Sequence, residues 1–324
     1  MPEPVIRVEN LTMHYTTRKG DVHAVDGVSF EIMPGEVLGV VGESGSGKSS
    51  VAFALMKLLP ENAHIKGGHV WMNGTDILAL PEEEVRKYRW NRIAMIFQAA
   101  MNTLNPVYRV GEQIIEAMET HGVAYGEEAR KRVAELFELV GLDPALMDRY
   151  PHEYSGGMRQ RAIIAMALSC DPDLLIADEP TTALDVIVQH RILQELLKVQ
   201  KRLDMAMMYI THDIAVVAEI STRIAVMYAG EIVEIGTAED IFLRPKHRYT
   251  EALLKAFPSI HGEKRKLITI PGELPDLLNP PMGCRFHPRC PFATSICKER
   301  KPDYTAFEPG HIAACWHPVG EERA

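Results

Sequence analysis

Gly42-Glu43-Ser44-Gly45-Ser46-Gly47-Lys48-Ser49 reads G-x-x-x-x-G-K-S, the spacing of a phosphate-binding loop. No other stretch of the chain narrows the fold as far. Glycines let the backbone turn back so that successive N–H groups point into one concavity. Lys48 adds a charge for phosphate, and the Ser49 hydroxyl can hold Mg²⁺. Glu36 to Val41 before the loop predicts a short buried strand. Ser50 to Leu59 after it predicts an apolar helix, whose N-terminus favours an anion. A Gly/Ser turn that matches by chance would lack this strand–loop–helix setting. The expectation is an α/β fold with the loop at the end of a parallel strand.

Further along, Asp173 to Glu179 is an apolar stretch ending in two acids. Buried parallel strands deliver catalytic groups at their C-terminal ends. A solvated strand end would show the same residues. Downstream of a phosphate loop, the reading is Mg²⁺ for Asp178 and water for Glu179. Asp185 is expected to cap a helix from Val186 to Leu203. Ser155 is an N-cap candidate, and Gly156 and Gly157 leave that helix end bare, either for an anion or as an ordinary cap. The strand Ala206 to Ile210 leads to His212, and the strand Arg92 to Phe97 leads to Gln98. Val5 to Tyr15 and Val22 to Ile32 read as strands. Tyr15 at the end of the first is either a base-stacking aromatic or a core residue. His69 to Met72 and Thr75 to Leu78 flank Asn73-Gly74, a hairpin signal. Residues 99–165 turn helical, with periodic runs at Val110 to His121 and Glu127 to Val140. Ile224 to Tyr228 and Glu231 to Ile235 read as a hairpin, followed by helices near Ala238 to Leu243 and Tyr249 to Phe257.

Net charge is −9, against a mainly electrostatic nucleic-acid binder. No apolar run approaches the ~18 residues that span a bilayer, and MPEPVIRVEN lacks the apolar core of a secretory signal. The expected location is therefore the cytoplasm, with any membrane role through a partner. Composition shifts near Pro258. Nine prolines between Pro271 and Pro318 argue against long helices or central strands in this tail. Four of the five cysteines, Cys284, Cys290, Cys297 and Cys315, also lie there, spaced C-x5-C-x6-C-x17-C. In a reducing compartment such a group suggests metal before disulfides. Structural zinc sites usually contain C-x2–4-C pairs, which are missing here. Four thiolates suit a [4Fe–4S] cluster equally well. Zinc, free thiols and an aerobic disulfide are the alternatives.

The order of these motifs resembles the ATP-binding subunits of ABC transporters over nearly the whole chain. Gly42 to Ser49 matches the Walker A motif, Gln98 the Q-loop and Ser155-Gly156-Gly157-Met158-Arg159 the signature motif. Leu174 to Glu179 matches Walker B, Ala183-Leu184-Asp185 the D-loop, His212 the switch histidine and Tyr15 the A-loop aromatic. Tyr154 and Met158 depart from the commonest LSGGQ form, while the serine and glycines are intact. Arg244 to Leu254 and Gly283 to Pro291 resemble the dipeptide and oligopeptide importers, members of which carry an iron–sulfur cluster. The loop Ala99 to Pro106 departs from the usual acidic residue and proline. It falls where the membrane subunit would dock.

The resemblance implies a nucleotide-binding domain over 1–258, with a RecA-like core, an antiparallel β subdomain and a helical subdomain at about 99–165. A Cys/Pro-rich extension would occupy 259–324. ATP would contact Tyr15, Gly42, Ser44, Gly45, Ser46, Gly47, Lys48, Ser49 and Ser50. Ser155, Gly156, Gly157 and Asp185 would act across the interface with a second ATPase subunit, a paralogue ahead of an identical copy. Glu179, His212 and Gln98 are the implied catalytic residues. Ser49, Gln98 and Asp178 are the implied Mg²⁺ ligands. Two transmembrane permeases and an extracellular solute-binding protein complete the expected assembly, on the cytoplasmic face of the membrane. Peptide is the expected solute, with nickel or oligosaccharide as alternatives. A soluble ABC ATPase would carry two cassettes or nucleic-acid elements, which the sequence does not display.

Overall fold

A computed structural model describes residues 3–182, 184–256 and 270–320. In chain order, β1 (Ile6–Thr17), β2 (Gly20–Ile32) and β3 (Val37–Val41) precede α1 (Lys48–Leu55), β4 (Ala63–Met72) and β5 (Thr75–Asp76). Then come α2 (Glu82–Tyr88), β6 (Ile93–Ile96), α3 (Val110–Thr120), α4 (Gly126–Leu139), α5 (Gly156–Ala167), β7 (Leu174–Asp178), α6 (Val186–Leu203) and β8 (Ala206–Thr211). The rest comprises α7 (Ile214–Ile220), β9 (Arg223–Tyr228), β10 (Glu231–Thr237), α8 (Ala238–Leu243), α9 (Arg248–Ala256), α10 (Ser295–Glu299), β11 (Thr305–Glu308) and β12 (His311–Ala313). The expected boundary at 258/259, Phe257 and Ala183 lie outside the described residues.

The described residues fall into two compact units. One takes in Ile32–Glu36 and Ala79–Tyr209. Its β6 and β7 pair in parallel, Ile93 opposite Leu174 and Ile96 opposite Ala177. All residues of both strands are buried. That is why they read as continuous apolar runs rather than alternating ones. The helical stretch follows the sequence pattern. α3 buries Val110, Ile114, Ala117 and Met118, and α4 buries Ala129, Val133, Leu136 and Phe137. Both sets lie at the i, i+3, i+4 spacing of one helix face.

The other unit comprises Arg7–Glu31, Val37–Leu78 and the described residues from Ile210 onward. It holds an antiparallel sheet ordered β2-β1-β4-β5 and a second set ordered β11-β12-β10-β9-β3. β3 runs parallel to β9, with Gly39 opposite Ile224. Tyr228, Tyr249 and Phe286 form the aromatic centre of this core, with ring centroids 4.5 to 5.4 Å apart. Phe286 comes from the proline-rich tail and is 1% exposed. Burying such a ring contributes roughly 1.5–3 kcal/mol.

One expectation needs correction. The hairpin strand Thr75 to Leu78 stops at Asp76, and Ile77–Ala79 is a 3-10 turn. Asp76 Oδ1 accepts from both Val70 N and Leu78 N, which draws the chain out of the ladder. The described tail forms only short elements, as its prolines lead one to expect. Its β12 pairs with β10, Glu234 opposite Ala313, and β11 pairs with β12 at the edge. Prolines do not prevent this, because both strands are short and lie at the sheet margin.

Candidate functional site

The phosphate loop leaves β3 between close neighbours. A Cβ on Gly42 would lie 2.1 Å from Met227 O, so only glycine fits there. Gly47 has φ of 101°, and its Cβ would meet Ala24 O at 2.2 Å. Close backbone approach therefore dictates both glycines, and the positive φ is a second reason at Gly47. Gly230 N donates to Ser46 O at 2.8 Å and pins the loop from outside. Lys48 is buried and donates to Gly42 O and Glu43 O at 2.8 Å each, with Ser46 Oγ at 3.4 Å. Helix α1 starts without a side-chain cap, which leaves its first N–H groups for an anion. Ser44 and Gly45 are exposed, and Ser49 and Ser50 are half-buried.

Tyr15 is brought to this loop. Its hydroxyl lies 3.2 Å from Ser50 Oγ, and its side chain is half-buried. A purely core aromatic would be covered. His212 is exposed just past β8, and Asp213 caps α7 by accepting from Ala215 N at 2.9 Å.

In the other unit, Gln98 follows β6 and Asp178 ends β7. Parallel pairing brings the strand ends together, and Gln98 Nε2 donates to Glu179 Oε2 at 2.9 Å. Thr182 Oγ1 donates to the same oxygen at 3.1 Å. Glu179 sits at φ 45°, in the left-handed region. Such strain, of order 1–3 kcal/mol, is typical of functional positions. Asp178 is 2% exposed.

Ser155 caps α5 by accepting from Met158 N at 3.3 Å. Asp185 caps α6 in the same way, from Val188 N at 3.0 Å. These two helix starts touch. A Cβ on Gly157 would stand 3.0 Å from Val188 Cγ1, and one on Gly156 would stand 3.4 Å from Leu184 Cδ2. Val186 and Ile187 beside them are 80% and 75% exposed.

The structure adds residues that the sequence reading passed over. Tyr249 Oη accepts from Glu43 N at 3.1 Å, and Arg289 Nη1 donates to both carboxylate oxygens of Glu43 at 3.1 and 3.0 Å. Burial opposes the Arg289 charge, but hydrogen bonds to Tyr228 and Glu43 outweigh it and raise its pKa. Arg285 pairs with Asp26 and donates to Ala229 O. The run Arg285 to Arg289 carried the subfamily resemblance, yet only the fold displays what it touches.

Cys284, Cys290, Cys297 and Cys315 all line one small cavity, with Trp316, His287 and His317. Burial pushes the Cys284 thiol up to about 12. The Phe286 N–H pulls it down, and the other three cysteines add to the rise. Burial likewise raises Cys290 and Cys315, against N–H groups of Phe292, His317 and Arg248. Among the described residues, no group of three or more His, Cys, Asp or Glu side chains stands ready to hold a metal ion.

Comparison with known proteins agrees with these observations. Residues 25–182 match the family described as ABC transporter, and residues 233–297 match the oligopeptide/dipeptide transporter C-terminal region. A probable peptide ABC transporter ATP-binding protein of Sinorhizobium fredii is 48% identical over 96% of this chain and 94% of its own. The oligopeptide transport ATP-binding protein of Escherichia coli is 48% identical over 98% of this chain and 95% of its own. Among solved structures, a dimeric ATP-binding cassette in a post-hydrolysis state with ADP and phosphate superposes with a TM-score of 0.64. It is 29% identical and covers 72% of this chain and 98% of its own.

Proposed function

The chain belongs to the ABC transporter family, in its oligopeptide and dipeptide branch, and from that premise we infer that it is the ATPase subunit that powers a peptide importer. The observation that carries this is the phosphate loop itself: a nest of N–H groups closed by buried Lys48 at the start of α1. Gly42 to Ser50 cradle the phosphates of ATP, and Tyr15 stacks on the base. Glu179 orients and polarises the attacking water, with Gln98 and Thr182 holding its carboxylate in place. His212 holds the γ-phosphate. Ser49, Gln98 and Asp178 supply hard oxygens for Mg²⁺, which neutralises phosphate charge when bound.

A second ATPase subunit, which we take to be a paralogue, covers the phosphates with its own counterparts of Ser155, Gly156, Gly157 and Asp185. What supports this is the exposed apolar pair Val186 and Ile187 beside the two helix starts. ATP then favours the closed pair, and its hydrolysis releases it. Val107 and Tyr108 are 70% and 55% exposed after the Gln98 loop, which supports a permease docked there. None of the described helices is long and apolar enough to cross a membrane. The proposed place is the cytoplasmic face, held by two permeases fed by an extracellular binding protein. We retain residues 1–258 and 259–324 as the proposed division.

The four tail cysteines are proposed as ligands of a [4Fe–4S] cluster. Support comes from their shared cavity. The cluster would staple the tail to the ATPase.

The test is reconstitution with the permeases in vesicles. Peptide uptake that requires ATP and is lost with Lys48→Ala supports the proposal. Uptake of nickel or oligosaccharide instead would redirect the solute, and ATP-independent Lys48→Ala transport would end the ATPase reading.

A further inference from the structure

We propose that Arg289 is a positioning residue for the nucleotide site, acting through Glu43 in the phosphate loop. The inference rests on the ATP-binding reading and extends it to the tail.

Glu43 is held at three points. Its carbonyl accepts from Lys48 Nζ at 2.8 Å, its N–H is bonded to Tyr249 Oη at 3.1 Å, and its carboxylate is bonded to Arg289. Arg289 in turn is held on several sides. Its side chain is 6% exposed. Nε donates to Pro271 O at 2.8 Å, Nη1 lies 3.3 Å from the Tyr228 hydroxyl, and the guanidinium stands 5.8 Å from the Tyr228 ring centre. The turn that presents it is wedged by Phe286, between Tyr228 and Tyr249. Arg285, four residues before, is clamped on Asp26 and Glu231.

A carboxylate is a costly residue in a loop that receives polyphosphate. It repels the ligand and competes for the lysine that the ligand needs. Pairing with a buried guanidinium cancels that charge and fixes the Gly42–Glu43 peptides whose oxygens hold Lys48. Removing one partner of a covered pair leaves the other charge uncompensated, which is worse than removing both. The tail thus completes the phosphate loop electrostatically, although the two residues lie 246 positions apart in sequence.

The test compares ATP and ADP affinity for the full-length chain and for R289M, E43Q and the double variant, at low and high salt. R289M is expected to weaken ATP binding about tenfold, with a smaller loss for ADP and a loss that shrinks as salt rises. E43Q, which leaves the buried Arg289 unpaired, is expected to weaken ATP binding about threefold, and E43Q/R289M to recover about threefold of the R289M loss. Unchanged affinity in R289M, or a double variant as weak as R289M, overturns the proposal. Should R289M fail to fold, R289Q takes its place: a loss of about tenfold that E43Q partly reverses supports the charge account, and unchanged affinity overturns it. Absence of ATP binding in the unaltered chain would instead overturn the nucleotide reading, and this one with it.

Discussion

The Gln98 amide donates to the Glu179 carboxylate at 2.9 Å, across 81 positions of sequence. Parallel register explains the meeting. Ile96 lies opposite Ala177, so each side chain stands two residues beyond a matched pair. The acid proposed to act on water is therefore oriented by a neutral amide donor.

Glu179→Gln should keep ATP binding and slow hydrolysis by roughly 10²–10⁴-fold, the usual contribution of a positioned base. The amide oxygen can still accept from Gln98, so the loop should hold its shape. Phosphate release against filter binding of ATP measures the split. Turnover at the unaltered rate would refute the assignment.

Tyr15→Ala should weaken ATP by about 1–3 kcal/mol if the ring stacks on adenine. Tyr15→Phe, which loses only the contact with Ser50 Oγ, should cost much less. Affinity for inorganic triphosphate is the control. An equal loss there would mean that Tyr15 only supports the loop.

Glu234→Ala should loosen the tail. Glu234 is fully buried and accepts from Lys246 N at 2.7 Å, His247 N at 2.8 Å and the His311 ring at 2.8 Å. Deleting it strands these groups, at about 1–3 kcal/mol for each one left buried without a partner. Thermal unfolding together with limited proteolysis reads this out, and the tail should be cut earlier than in the unaltered chain. An unchanged melting midpoint would show that the pair contributes little.

Protein purified without oxygen should be brown, with iron and acid-labile sulfide near four each per chain, as a cubane cluster requires. Cys284→Ser should lose the colour and destabilise the tail more than the ATPase units. A colourless protein with one zinc per chain would replace the cluster with zinc.

Local chemistry was legible in the sequence. The phosphate loop, the caps Ser155 and Asp185, and the helices Val186–Leu203 and Ala238–Leu243 stand where spacing places them. Helical hydrogen bonds and caps act within about one turn of chain, so neighbouring residues suffice to read them. Elements with weak local signals escaped. α2 buries only Val85 and has no periodic face, while α7, with its sequence IAVVAEI, suits strand or helix equally until Asp213 caps it. Tertiary structure alone decided that β12 joins β10, that four scattered cysteines line one cavity, and that Arg289 reaches Glu43. These contacts depend on the path of the whole chain. Each side chain would look equally at home on a solvated surface, and only packing around Tyr228, Tyr249 and Phe286 brings them together.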